Sequence, residues 1–342
     1  MRLPLSIIAV VATVLLTGAM FLTAGWIHPP VKSAQVGYRG LAMEQITTER
    51  QQQIIKARNT VPEASEKASA DGPKAKDEYQ NVKVLTDLST EQFNRVMLAI
   101  TEWVAPEQGC AYCHNVENLA DDSLYTKVVA RRMFEMTRHI NTDWKPHVAA
   151  TGVTCYTCHR GNPVPLNIWF NHPGPPEAQG FAEDRQGQNV ASKVAGMSSL
   201  PYNALDRQLG DNQAIRVVAT TALPEGSGAS IKKAEVTYSL MMHMSEGLGV
   251  NCTFCHNSRA FSQWSQSTPQ RVTAWHGIQM VRELNAGYLT PLKGTYPPNR
   301  LGPLGDAPKA NCTTCHQGVN KPLLGVSMVK DYPELAGPVT AP

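Results

Sequence analysis

The feature that most constrains this chain is the placement of its eight cysteines. They fall in four pairs, Cys110/Cys113, Cys155/Cys158, Cys252/Cys255 and Cys312/Cys315, each with two residues between and each followed at once by a histidine, His114, His159, His256 or His316. No cysteine is left over, so no disulfide is expected. Two thiols on one helical turn can each add to a vinyl group at the edge of one porphyrin. The adjacent histidine then lies beneath the iron and supplies its proximal nitrogen. A lone motif of this kind also reads as half a zinc site or as a redox dithiol. Four motifs that use every cysteine, with no regularly spaced partner ligands, point to four covalently bound haem c groups.

Composition narrows the fold. Only 17% of the 342 residues are charged, below the roughly 25% typical of soluble proteins, which excludes a disordered polyelectrolyte. Twenty-four prolines and 25 glycines exclude a coiled coil or a long helical bundle. The formal charge of +3 carries no basic block, so no nucleic-acid partner is expected. Each haem would add about −1 when oxidised and −2 when reduced, which makes the loaded protein mildly acidic and suited to a basic donor.

Leu3 to Ile27 contains no charged residue. At about 1.5 Å per residue such a helix crosses the roughly 30 Å hydrocarbon core. Arg2 precedes it, which keeps the N-terminus cytoplasmic and exports the remainder. Small residues at Thr23, Ala24 and Gly25 also fit a cleaved signal peptide; an uncleaved single-span anchor is the expectation.

Residues 29–85 read as an extended, loosely structured N-terminal segment following the anchor at 1–28. Four apolar-periodic helices follow, one ahead of each motif. The first opens on Ser89-Thr90-Glu91-Gln92, a capping-box pattern. The second runs from about Leu124 to Ile140 and the third from about Ala234 to Leu248. The fourth opens on Thr268 as N-cap with Pro269 behind it and continues to Asn285. The motifs lie 45 residues apart in the first pair, 60 in the second, and 97 between pairs. The expected fold is mainly α with extensive loops: a first haem pair in 86–165, a connector in 166–230 carrying a β-like run from Ala214 to Thr221, a second haem pair in 231–320, and a C-terminal tail in 321–342. The two halves are expected to be related by pseudo-two-fold symmetry.

The residue on the far side of each iron separates electron transfer from catalysis. Met97 has no rival in the first helix. Spacing does not choose among Met133, Met136 and His139, among Met241, Met242, His243 and Met244, or between His276 and Met280. Thioether ligation favours reduced iron and raises the potential.

Longer segments carry a resemblance. Gly37-Tyr38-Arg39-Gly40-Leu41, Ile100-Thr101-Glu102-Trp103-Val104, Gly152-Val153-Thr154 through the second motif to Arg160-Gly161, Thr268-Pro269-Gln270-Arg271 and Lys330-Asp331-Tyr332-Pro333-Glu334-Leu335 resemble the tetrahaem cytochrome subunit of the purple-bacterial photosynthetic reaction centre. The resemblance implies axial pairs His114/Met97, His159/Met133, His256/Met241 and His316/His147, the last with a histidine from the first half of the chain. Met280 is then a packing residue, and His139, His243 and His276 do not ligate. It also implies an electron carrier rather than an enzyme, on the periplasmic face of the photosynthetic inner membrane. Its partners would be the reaction-centre L, M and H subunits with their bacteriochlorophyll special pair. A soluble cytochrome c or high-potential iron–sulfur protein would be the donor. Arg271 is expected beside the third haem, nearest the special pair, where a fixed positive charge raises the potential. Many family members carry a lipid-modified N-terminal cysteine that this sequence lacks, so the apolar helix is expected to be the anchor. The alternative is a membrane-anchored quinol-oxidising or respiratory multihaem cytochrome; such chains are usually shorter and richer in histidine ligands.

Overall fold

A computed structural model describes residues 4–23, 31–174, 191–217 and 230–338. Helix α1 (Leu5–Thr23) has 19 residues, all exposed, a length of about 28 Å that matches the apolar thickness of a bilayer. Its Thr13, Thr17 and Thr23 hydroxyls donate to the carbonyls four residues earlier, so these three are satisfied without water.

The N-terminal segment is more ordered than its polarity implies. Strands β1 (Val31–Val36) and β2 (Met43–Thr48) pair antiparallel, Val36 opposite Met43. Helix α2 (Glu49–Arg58) begins with a capping box between Thr48 and Gln51. The expectation of a loose segment thus fails for 31–58, because its contacts are tertiary. The Thr253 hydroxyl, in the third motif, donates to Val36 O and accepts from Met43 N–H, and Asn251 donates to Met43 O. Gly37 makes this approach: at φ 121° it sits where a Cβ would lie 2.6 Å from Thr253 O, a site closed to any L side chain.

Helix α3 (Ala75–Glu78) is a single turn ahead of α4 (Thr90–Val104), whose N-cap is Ser89 with the expected capping box to Gln92. Helix α5 (Tyr125–Asp143) is followed by the short α6 (Lys145–Val148) and by α7 (Cys155–His159), the second motif itself. Helix α8 (Ile231–Leu248) precedes the third motif. Helix α9 (Gln270–Glu283) runs on as a wider turn through Leu289, and α10 (Cys312–His316) is the fourth motif. The fourth pre-motif helix differs at its start. Thr268 is not its side-chain cap, since that hydroxyl donates to Phe254 O instead. No strand forms at 214–217, and the rest of the β-like run lies outside the described residues.

Two apolar clusters form the core. One joins α4 and α7 to Leu323, Met328, Tyr332 and Leu335; the C-terminal residues expected to be a tail are therefore core, with Leu335 fully buried. The other joins α8 and α9 to Ile140, Trp169, Ala204, Leu205 and Leu209, so the connector also contributes apolar packing. Arg95 stitches the first half together. It pairs with Glu334, both nearly buried, donates to the carbonyls of Ser65 and Glu66, and lies over the Tyr332 ring.

Candidate functional site

The four motif histidines share one hydrogen-bonding pattern. Nδ1 faces a backbone carbonyl in each: Leu119 O for His114 (3.1 Å), Asn162 O for His159 (2.9 Å), Phe261 O for His256 (2.9 Å) and Val319 O for His316 (2.9 Å). A carbonyl only accepts, so Nδ1 carries the proton and Nε2 keeps its lone pair. Burial also pushes the imidazoles of His159, His256 and His316 below the ordinary histidine range, His316 to about 4. They are neutral at pH 7, the protonation state a metal requires. Burial moves the thiols the other way, Cys113 and Cys255 up to about 11 and Cys155 and Cys312 up to about 12, so they are not poised as reactive thiolates.

The motifs fall into two local types. The second and fourth are short α-helices with capping boxes, Thr154 to Thr157 and Asn311 to Thr314, and each ends on a left-handed residue, Arg160 or Gln317. In both, the histidine reaches the carbonyl three residues on. The first and third open as 3-10 turns, and their histidines reach the carbonyl five residues on.

One cavity of about 1180 Å³ connects three of the motifs. Its walls include Met97 with Cys110, Cys113 and His114; Met133 with Cys155, Cys158 and His159; and His147 with Cys312, Cys315 and His316. Each distal residue implied for these motifs therefore opens into the same space as its cysteine pair. His147 Nδ1 donates to Thr273 O at 2.9 Å, leaving its Nε2 free as well, and its ring centre lies 6.0 Å from that of His316. A ring-to-ring distance of that size leaves room for one ion between the two imidazoles, at about 2 Å per metal–nitrogen bond. The apolar walls, neutral imidazoles and paired thiols suit covalent haem. The third motif stands apart: only Phe254 of it reaches this cavity, and Met241 packs beside the second apolar cluster.

The chain matches the family model described as photosynthetic reaction centre cytochrome C subunit over residues 27–336. It belongs to that family. The photosynthetic reaction center cytochrome c subunit of Rubrivivax gelatinosus is 54% identical over 324 residues, 94% of this chain and 88% of that protein. That of Thermochromatium tepidum is 49% identical over 334 residues, covering 98% and 80%. Cytochrome c-554 of Chloroflexus aurantiacus is more distant, 26% identical over 311 residues. As a reaction centre cytochrome, the protein transfers electrons through covalently bound haem c, associates with the photosynthetic reaction centre and is a carrier rather than an enzyme. One N-terminal apolar helix long enough to cross a bilayer is consistent with membrane association.

The remaining candidates resolve as follows. Met280 is buried in the second cluster. His139 stacks on Tyr288 and sits between Asp143 and Glu283. His243 is buried with Nε2 unpartnered. Burial disfavours protonation of His147, and nearby His276 adds to that in smaller measure. His172 packs against Tyr202, and His28 lies outside the described residues. Arg271 donates to Ser267 Oγ at 2.6 Å, lies over the Trp264 ring and acts electrostatically on both Cys255 and His256; it is a held charge beside the third motif. One contact runs against the expectation of no disulfide: the Cys158 and Cys315 sulfurs lie at bonding distance, because α7 and α10 pack with these Cα atoms 4.4 Å apart. A separation of 157 residues hides that contact from spacing. Sequence reasoning also missed the roles of Arg160, Gln317 and Gly277, which exist only as contacts between distant segments.

Proposed function

We propose that the subunit holds four haem c groups as a wire that re-reduces the photo-oxidised special pair bound by the L and M subunits, with H completing the complex. A soluble periplasmic cytochrome c or high-potential iron–sulfur protein supplies the electrons. Haem iron contributes reversible one-electron chemistry. The eight motif cysteines would be thioethers in the loaded protein; Cys158 and Cys315 would add to vinyl groups as two reduced thiols, since a disulfide and two thioethers exclude each other. His114, His159, His256 and His316 would hold the irons through Nε2, with Met97, Met133, Met241 and His147 as their respective second ligands. The backbone carbonyls on Nδ1 fix each ring's tautomer and orientation and raise its basicity. The observation that carries this reading is the facing pair His147 and His316, each with Nδ1 already committed to a carbonyl.

The packing of α7 on α10 supports a central contact between the second and fourth haems. The hairpin that grips the third motif follows α1 after seven residues, at most about 25 Å of chain, which supports a membrane-proximal third haem. The matched local types support two haem-pair halves, 86–165 and 231–320, related by a pseudo-two-fold. The N-terminus is then cytoplasmic and the haem domain periplasmic. Arg271 raises the third haem's potential, since a fixed cation disfavours ferric iron; Arg271→Gln should lower that midpoint, and an unmoved midpoint refutes the role. Flash-induced haem oxidation in native membranes on the microsecond scale tests the whole reading. Haems that respond to quinol but not to the flash would favour the quinol-oxidising alternative.

A further inference from the structure

The second and fourth motifs exchange hydrogen bonds across their junction. Arg160, directly after His159, donates from Nη2 to Cys315 O at 3.3 Å, and Gln317, directly after His316, donates from Nε2 to Cys158 O at 3.5 Å. Both residues are left-handed at φ 50°. The next glycines match too: Gly161 N–H donates to Trp103 O in α4, and Gly318 N–H to Gly247 O in α8. The two positions are therefore equivalent in geometry and differ in charge.

Arg160 is half-buried. Its other donors reach Arg58 O, Asn59 Oδ1 and Thr157 O, all neutral acceptors, and among the described residues no carboxylate pairs with it. A guanidinium stays protonated in proteins. Among the described residues its positive charge thus has no carboxylate partner where the two motifs meet, a partly desolvated place where salt screens it little. Gln317 satisfies the equivalent carbonyl with no charge, so hydrogen bonding alone does not call for arginine.

We propose that Arg160 is a potential-setting residue for the middle of the wire, raising the midpoints of the haems at the second and fourth motifs together. The proposal rests on the four-haem reading above. A positive charge stabilises reduced iron relative to ferric iron, so both central haems hold an electron more firmly than they would beside glutamine.

The test is a spectroelectrochemical titration of the full-length subunit in solubilised membranes, with haem content measured by pyridine haemochrome. Arg160→Gln should shift two of the four midpoints downward and leave two in place, and Arg160→Lys should retain the wild-type values. Gln317→Arg should shift the same two upward, which keeps the test open if Arg160→Gln fails to assemble. Four unmoved midpoints in either charge variant, or four that move together, overturn the proposal. A wild-type haem content below four per chain would sink the four-haem reading itself, visibly and before any variant is compared. The proposal falls with it only if the second or fourth site is the one without haem.

Discussion

Gly277→Ala tests the placement of His147 with a single methyl group. A Cβ built on Gly277 would lie 2.5 Å from Cε1, 2.8 Å from Nδ1 and 3.1 Å from Nε2 of the His147 ring. Carbon atoms rest at about 3.5–4.0 Å, so the ring must retreat by roughly 1 Å. In an unobstructed helix interior, glycine to alanine gains about 1 kcal/mol. Here the overpacking costs about 1–3 kcal/mol, and stretching the His147–Thr273 hydrogen bond costs about 1 kcal/mol more. The expected net destabilisation is about 1–3 kcal/mol, read as a lower denaturant midpoint at pH 7. With it, one haem of the set should change its α-band and midpoint while the others keep theirs. In a His147→Ala background the obstruction is gone, and Gly277→Ala should then stabilise by about 1 kcal/mol. A Gly277→Ala protein that is more stable than wild type, with every haem spectrum unchanged, would refute the placement of His147 and the ligand role built on it.

Three further outcomes follow from the packing. Glu334→Gln strips the carboxylate from Arg95 where the two side chains are only 5% and 3% exposed; stability should fall by about 3–5 kcal/mol in denaturant unfolding. Ser89 accepts from Gln92 N–H and donates to Ser69 O, so Ser89→Ala should cost about 1–2 kcal/mol by the same measurement. The Arg131 guanidinium, helped by Lys83, Asn81 and Lys127, holds the Asp122 carboxyl well below the usual carboxylate range. A depressed folded pKa gives stability that is fully present above the unfolded value of about 3.9 and is lost as pH falls through the folded value. The wild-type advantage over Asp122→Asn should hold steady above about pH 5 and shrink below about pH 4; an advantage that grows with acid contradicts the pairing.

How far the site was legible depended on whether its parts are neighbours in the chain. The motifs, the Ser89 cap and the pre-motif helices are local, and the structure has them where the pattern indicates, apart from the start of α9. The Thr48–Gln51 capping box is equally local, but it opens a polar helix with no apolar stripe to mark it. The hairpin carried no signal, since β1 and β2 are largely exposed and owe their position to Thr253 and Asn251, two hundred residues away. The C-terminal segment reads as a tail because Pro333 and Gly337 interrupt the helical spacing of Met328, Tyr332 and Leu335; their partners are α4 and α7.

Sequence by itself determined the covalent chemistry, because two thioethers and a proximal imidazole on one porphyrin must come from a single helical turn. Only the tertiary structure decided what faces what. Arg160 meets Cys315 and Gly37 meets Thr253 across more than a hundred residues each, and His147 and His316, paired beforehand only by resemblance, come within 6.0 Å ring to ring. Such contacts are set by how helices and loops pack around shared space, a property that residue spacing does not contain.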